Sequence, residues 1–167
     1  MPPEHSQQDH RPQDHAPQQD ALQHLDAHYQ SMPPVAALRM SISGYDGTCL
    51  RLHAPLAANV NDKGCAFGGS LASLMTLASW GLVAMRVQDA GLAADVFVAD
   101  SQLRYLAPLF ADIEAEAELA ADASWNQFIA TLRERGRASA QLVARVTTPE
   151  GVVAATCSAR YVAIGKG

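Results

Sequence analysis

The chain has 167 residues, 49% of them apolar, and 12 Lys and Arg against 17 Asp and Glu give a net charge of -5. That length supports one domain with a real core, and the mild negative balance argues against a nucleic-acid groove. Cys49, Cys65 and Cys157 lie far apart with no CxxC pair, so neither a disulfide framework nor a zinc knuckle can be read from them.

Residues 1–20 are rich in Gln, Pro, His and Asp and hold too little apolar area to offset ordering entropy, so they are expected to form a disordered tail. His5, His10 and His15 recur every five residues there, a spacing suited only to adventitious metal binding, and no metal site is expected. The start, MPPEHSQQDH, lacks the apolar run of a secretory signal. Ser70 to Val87 is interrupted by Ser, Thr, Gly and Arg, short of a membrane span. The expectation is a cytoplasmic protein with no membrane or nucleic-acid partner.

Residues 21–167 read as a single domain. Ala21 to Ser31 forms a helix capped by Asp20 and stopped by Pro33-Pro34. His24 and His28 share one of its faces and cover the sheet; as a metal pair they lack a third ligand. Val35 to Ser43 and Thr48 to Ala54 read as strands joined by SGYDG, with Pro55 ending the second. A polar loop from Asn59 then enters a long helix through Phe67, Gly68 and Gly69, ending near Gln88 to Gly91.

The second half is mostly strand. Val96 to Leu106 is one, and IEAEAEL (Ile113 to Leu119) alternates like a sheet with one wet face. Ser124 to Arg135 makes a short helix between a Ser cap and Gly136, and Arg137 to Thr147 with Val152 to Ile164 makes a hairpin around TPEG. The long helix has Leu71, Leu74, Met75, Ala78, Leu82 and Met85 on one face and Ser70, Ser73, Thr76 and Ser79 on another. A helix apolar or small all round must be wrapped, and a sheet curled round it satisfies the pattern. The fold class is α+β.

The loop NVNDKGCAFGGS (Asn59 to Ser70), the helix through Trp80-Gly81, and DSQLRYLAP from Asp100 resemble the YiiD C-terminal, thioesterase-type family of hotdog-fold proteins. The resemblance covers Val35 to Ile164. It implies a curved antiparallel sheet round a central helix, and a homodimer, or a tetramer of such dimers, with sites at the subunit interface. It also implies an acyl thioester carried on coenzyme A or the phosphopantetheine of acyl carrier protein, with no further cofactor. Some relatives are associated with decarboxylating malonyl-acyl carrier protein to the acetyl form.

Hydrolysis and decarboxylation both place negative charge on the thioester oxygen. The first amides of the helix, at Gly68 and Gly69, are suited to hold it. Asn61 matches a loop asparagine of related thioesterases and could hydrogen-bond the thioester carbonyl; Asn59 could share that duty, while loop capping is the alternative for both. Many such enzymes carry an acid two turns into the helix, where this chain has Thr76, and Ser70 to Arg86 contains no carboxylate. Hydrolysis needs a base and decarboxylation does not, which favours the second. Asp100 is the counter-candidate as base, its alternative being a bond to a loop amide or Arg104. Ser101 could orient the acyl group. Phe67 and Ser70 flank the amides, and Lys63, Arg104 and Arg137 could meet phosphates. Met75, Trp80 or Phe97 could floor a short acyl pocket, and Phe67 with Trp80 could instead close it. Without a neighbouring His, Cys65 reads as a small buried side chain rather than a nucleophile. A non-catalytic acyl-thioester binder remains a third reading.

Overall fold

The computed structural model describes residues 15–167. The elements run α1 (His15–Ser31), α2 (Pro33–Ala36), β1 (Ser41–Tyr45), β2 (Cys49–Ala54), α3 (Leu56–Asn59), α4 (Gly68–Asp89), β3 (Ala94–Tyr105), β4 (Ile113–Leu119), α5 (Trp125–Arg135), β5 (Arg137–Thr147) and β6 (Val153–Gly165). The six strands form one sheet in the order β1-β2-β4-β5-β6-β3, antiparallel at every junction.

Alternation makes the sheet two-sided. Ile113, Ala115 and Ala117 of β4 are buried against α4, while Glu114 and Glu118 are exposed. β5 repeats this with Ala138, Ala140, Leu142, Ala144 and Val146 inside. Because α4 touches five of the strands, the sheet curls round it. Leu74, Met75 and Leu82 are wholly buried, each contributing about 1.5–3 kcal/mol by removal from water. By length and apolarity α4 could cross a membrane, contrary to the sequence expectation, yet the fold itself buries most of its surface.

Two tyrosines pin α4 by its backbone. Tyr161 of β6 donates to the Thr76 carbonyl at 3.0 Å, and Tyr29 of α1 donates to the Leu77 carbonyl at 2.6 Å. Gly81 makes room for Tyr29: a Cβ there would overlap the Tyr29 hydroxyl and lie 2.9 Å from Leu50. α1 therefore packs on α4, not on the sheet as expected, and His28 stacks on Trp80.

α1 begins at His15, so residues 15–20, assigned to a tail, are helical and Asp20 lies inside the helix rather than capping it. The spacing of Ala21, Leu25 and Tyr29, all buried, gives this helix its inner stripe. His5 and His10 lie outside the described residues. The strand expected from Val35 to Ser43 is also corrected: Pro33-Pro34 stops α1 but opens the turn of α2, where a fixed φ suits the first helical positions. β1 starts only at Ser41. α5 is as read: Ser124 Oγ accepts from Gln127 N–H at 3.2 Å, and Gly136 closes the helix at φ 67°.

β3 is an edge strand with a bulge. Val98 stands opposite Tyr161 and Asp100 opposite Arg160, leaving Ala99 as the extra residue. A bulge of this kind reverses which face the following side chains take. Ala94, Val96 and Val98 face α4 before it, and Ser101, Leu103 and Tyr105 after it; Asp95, Phe97, Asp100, Gln102 and Arg104 face outward.

Candidate active site

The loop before α4 is built by its asparagines. Asn61 Oδ1 accepts from the N–H groups of Lys63 at 2.8 Å and Cys65 at 3.1 Å, and its Nδ2 lies 3.2 Å from Cys65 Sγ. Gly64, at φ 81°, lets the loop turn back so that Asn61 N–H reaches the Cys65 carbonyl at 2.8 Å. Asn59 is 3% exposed and gives both Nδ2 hydrogens away, to the Leu38 and Pro55 carbonyls at 2.9 Å each. It has no donor left for a substrate, so its expected part in the chemistry is withdrawn. It ties α3 to the chain before β1 instead. Asn61 holds the loop through its oxygen, the capping alternative, and keeps an amide beside Cys65.

The donors that remain are on the helix. Phe67 N–H is taken by the Asn59 carbonyl at 2.7 Å, and the Ser70 and Leu71 N–H groups both return to the Phe67 carbonyl. Gly68 and Gly69 N–H have no backbone partner among the described residues, and Phe67 offers no side-chain cap. Two adjacent donors thus sit at the positive end of a 22-residue helix. A Cβ on residue 69 would come 2.8 Å from Phe67 Cζ, so the glycine is what lets that ring lie across the helix start. Beside the amides opens a cavity of about 310 Å³ lined by Ala66, Gly68, Leu71, Tyr105, Pro108 and Leu109. Tyr105 Oη donates to the Gly68 carbonyl at 3.2 Å.

An apolar cavity with two converging amides is a site for an acyl group whose carbonyl oxygen gains negative charge. Residues 22–165 match the family model described as "Putative thioesterase (yiiD_Cterm)". The chain belongs to that family. Its fold is the hotdog fold. Three solved structures are similar to it: a protein of unknown function from Chlorobaculum tepidum (27% identity, 90% of this chain and 97% of that one, TM-score 0.82); a protein described as a putative thioesterase from Shewanella oneidensis (27%, 87% and 99%, 0.78); and one described as a probable thioesterase from Pseudomonas aeruginosa (25%, 90% and 97%, 0.74).

Within this YiiD-type chain the other candidates separate. Gly68, Gly69, Phe67 and the Asn61 loop come together at the head of α4. Ser73 and Thr76 sit further along the half-open face of α4, while Ser70 is buried beside Leu71. Ser101 faces α4 from β3 and is exposed. Lys63 is exposed on the loop and pairs with Asp62 at 2.9 Å. Asp100 points out through the sheet and is held by Arg160 at 2.6 and 2.9 Å, so it neither reaches the helix amides of its own chain nor uses Arg104. Arg104 shares that outer face, away from the amides. Met75 is buried in the core, Trp80 is about 18 Å further along the helix than Gly68, and Phe97 faces outward, so none of them floors the cavity. Tyr105 was the missed residue; its signal was its place at the end of an alternating strand leading into Pro108. Cys65 is buried, and His53 pairs with Asp112 at 3.1 Å; among the described residues no three His, Cys, Asp or Glu gather to hold a metal.

Proposed function

We propose that this protein is an acyl-thioester enzyme whose reaction is the decarboxylation of malonyl-acyl carrier protein to acetyl-acyl carrier protein, the priming step of fatty acid synthesis. The observation that carries the reading is the pair of unpartnered Gly68 and Gly69 amides at an apolar cavity, with no carboxylate on α4 from Ser70 to Arg86 or on the inner face of β3. In the step, the bond between the α-carbon and the carboxylate carbon breaks and carbon dioxide leaves. Its electron pair passes through the α-carbon to the thioester oxygen, forming an enolate that the two amides hold. A proton from solvent then restores the α-carbon as acetyl. An apolar wall leaves the departing carboxylate poorly solvated, which favours its loss.

The site works in a pair of identical chains. β3 ends the sheet with unpaired backbone groups, and Val98, Tyr105 and Leu106 along it, with nearby Phe67, are each about half exposed. Such an apolar edge suits an isologous contact. Lys63, at the mouth of the loop, is placed to meet a phosphate of the phosphopantetheine arm or of coenzyme A.

Hydrolysis is the second reading, favoured by the descriptions of the Shewanella and Pseudomonas relatives as thioesterases. The same amides would hold a tetrahedral oxyanion, with water as nucleophile. A mass-resolved time course on malonyl-acyl carrier protein separates the two. Acetyl-carrier protein without free carrier thiol, abolished by Gly69→Val, supports decarboxylation. Accumulating free thiol supports hydrolysis, and neither product overturns the enzymatic reading in favour of a binding protein.

A further inference from the structure

The bulge in β3 restricts how two such edges can meet. In an antiparallel pair, directly opposed residues share a face. A two-fold axis between residues 99 and 100 sets inner against inner and outer against outer along the whole strand. Ala94 meets the partner's Tyr105, Val96 the partner's Leu103, Val98 the partner's Ser101, and Phe97 the partner's Gln102. The same register sets Asp95, which Lys166 also approaches at 3.0 Å, against the partner's Arg104, twice by symmetry. Arg104 has no ion-pair partner among the described residues, so the pairing complements a charge left open in the single chain. A slip of one residue would oppose inner to outer faces. A slip of two would leave Arg104 facing Phe97 or Ala93.

That register has a consequence at the helix. α4 runs opposite to β3: Gly68 lies beside Tyr105, and Trp80 bonds the Val96 carbonyl through Nε1 at 2.9 Å. The amides of one copy therefore come level with the partner's Ala94 to Val96. There the partner holds an open cavity of about 520 Å³ between α1, α4 and the start of β3. Its wall is Trp80 with the His28 ring stacked on it, 5.2 Å between centroids and 12° between planes, flanked by Ala84 and Val96.

We infer that the partner's Trp80–His28 wall closes the acyl site formed by the Gly68 and Gly69 amides, in the register set by the Ala99 bulge and the Asp95–Arg104 pair. This rests on the paired, acyl-thioester reading above and assigns it two further residues that contact the acyl group. The wall gives the acyl chain a flat apolar surface with one imidazole in it.

Two experiments on the full chain test this. Differently tagged chains carrying Val98→Cys and Ser101→Cys are co-expressed and treated with a short bis-maleimide; the native cysteines are buried. Cross-links between unlike chains are expected, and cross-links only between like chains, or none, overturn the register. In the second, Gly69→Val and Trp80→Ala chains, each folded and inactive as a homodimer, are mixed by co-refolding. A composite site predicts recovery of about a quarter of wild-type turnover, because half the dimers are mixed and each of those has one intact site. No recovery overturns the composite site. If wild-type protein turns over neither malonyl nor simple acyl thioesters, the functional reading fails while the cross-link still decides how the copies meet.

Discussion

Gly81→Ala is the substitution whose cost follows most directly from the packing of α1 on α4. Alone, a Gly-to-Ala change inside a helix gains about 1 kcal/mol. Here the new methyl would overlap the Tyr29 hydroxyl and sit 2.9 Å from Leu50 Cδ2 and 3.1 Å from Leu25 Cδ2. Overpacking of this kind costs about 1–3 kcal/mol. Displacing Tyr29 also breaks its 2.6 Å bond to the Leu77 carbonyl, and a buried hydroxyl left without a partner costs about 1–3 kcal/mol more. The balance is a destabilisation of about 3 kcal/mol, read as the urea midpoint at fixed protein concentration and unchanged slope. Tyr29→Phe removes the obstructing oxygen, so the double variant should recover at least half of that loss relative to Tyr29→Phe alone. A Gly81→Ala protein within about 0.5 kcal/mol of wild type, or a double variant showing no coupling, would refute the account of α1 docking.

Other predictions follow from residues already placed. Burial holds the Tyr29 and Tyr161 hydroxyls well above the ordinary tyrosine range, with hydrogen bonds to Ser79 and Thr76 partly offsetting it for Tyr161. With folded values raised, their contribution is complete below pH about 10 and declines as the pH climbs beyond it; melting temperature against pH should fall on that alkaline limb, and less steeply in Tyr161→Phe. Asn59→Ala strips two carbonyls of their donors and should cost about 2–3 kcal/mol in thermal unfolding, while the folded fraction keeps its turnover per molecule. Ser124→Ala should cost about 1 kcal/mol, seen as faster amide exchange confined to the first turn of α5.

Where the sequence pattern was carried by packing, it was legible. IEAEAEL read correctly because Ile113, Ala115 and Ala117 fill the concave face and the glutamates do not. The wrapped helix was legible because a segment without charge from Ser70 to Met85 has nowhere to go but inside; the helix amides followed from its glycines. Asp100 was not legible, since alternation carried on from Val96 and Val98 puts it on the inner face. One unpaired residue at Ala99 turns it outward to Arg160, and a bulge leaves no mark in hydropathy. Asn59 and Asn61 differ for a similar reason: neighbouring asparagines in a loop look alike until one is buried with both hydrogens spent. The first helix was hidden by its polar, Pro- and Gln-rich start, although Leu25 and Tyr29 carried its stripe.

The bulge also bears on which changes in chain length this strand tolerates. Losing Ala99 would leave every later residue of β3 with a choice between its place against β6 and its place facing α4. Keeping the hydrogen-bond ladder would move Ser101, Leu103 and Tyr105 outward and bring Gln102 and Arg104 in over the helix. Keeping the inner face would shear the strand off β6. Substitution at residue 99 is therefore a mild event and deletion a severe one, so a residue of little chemical character acts as a spacer whose presence, not identity, is what the fold requires.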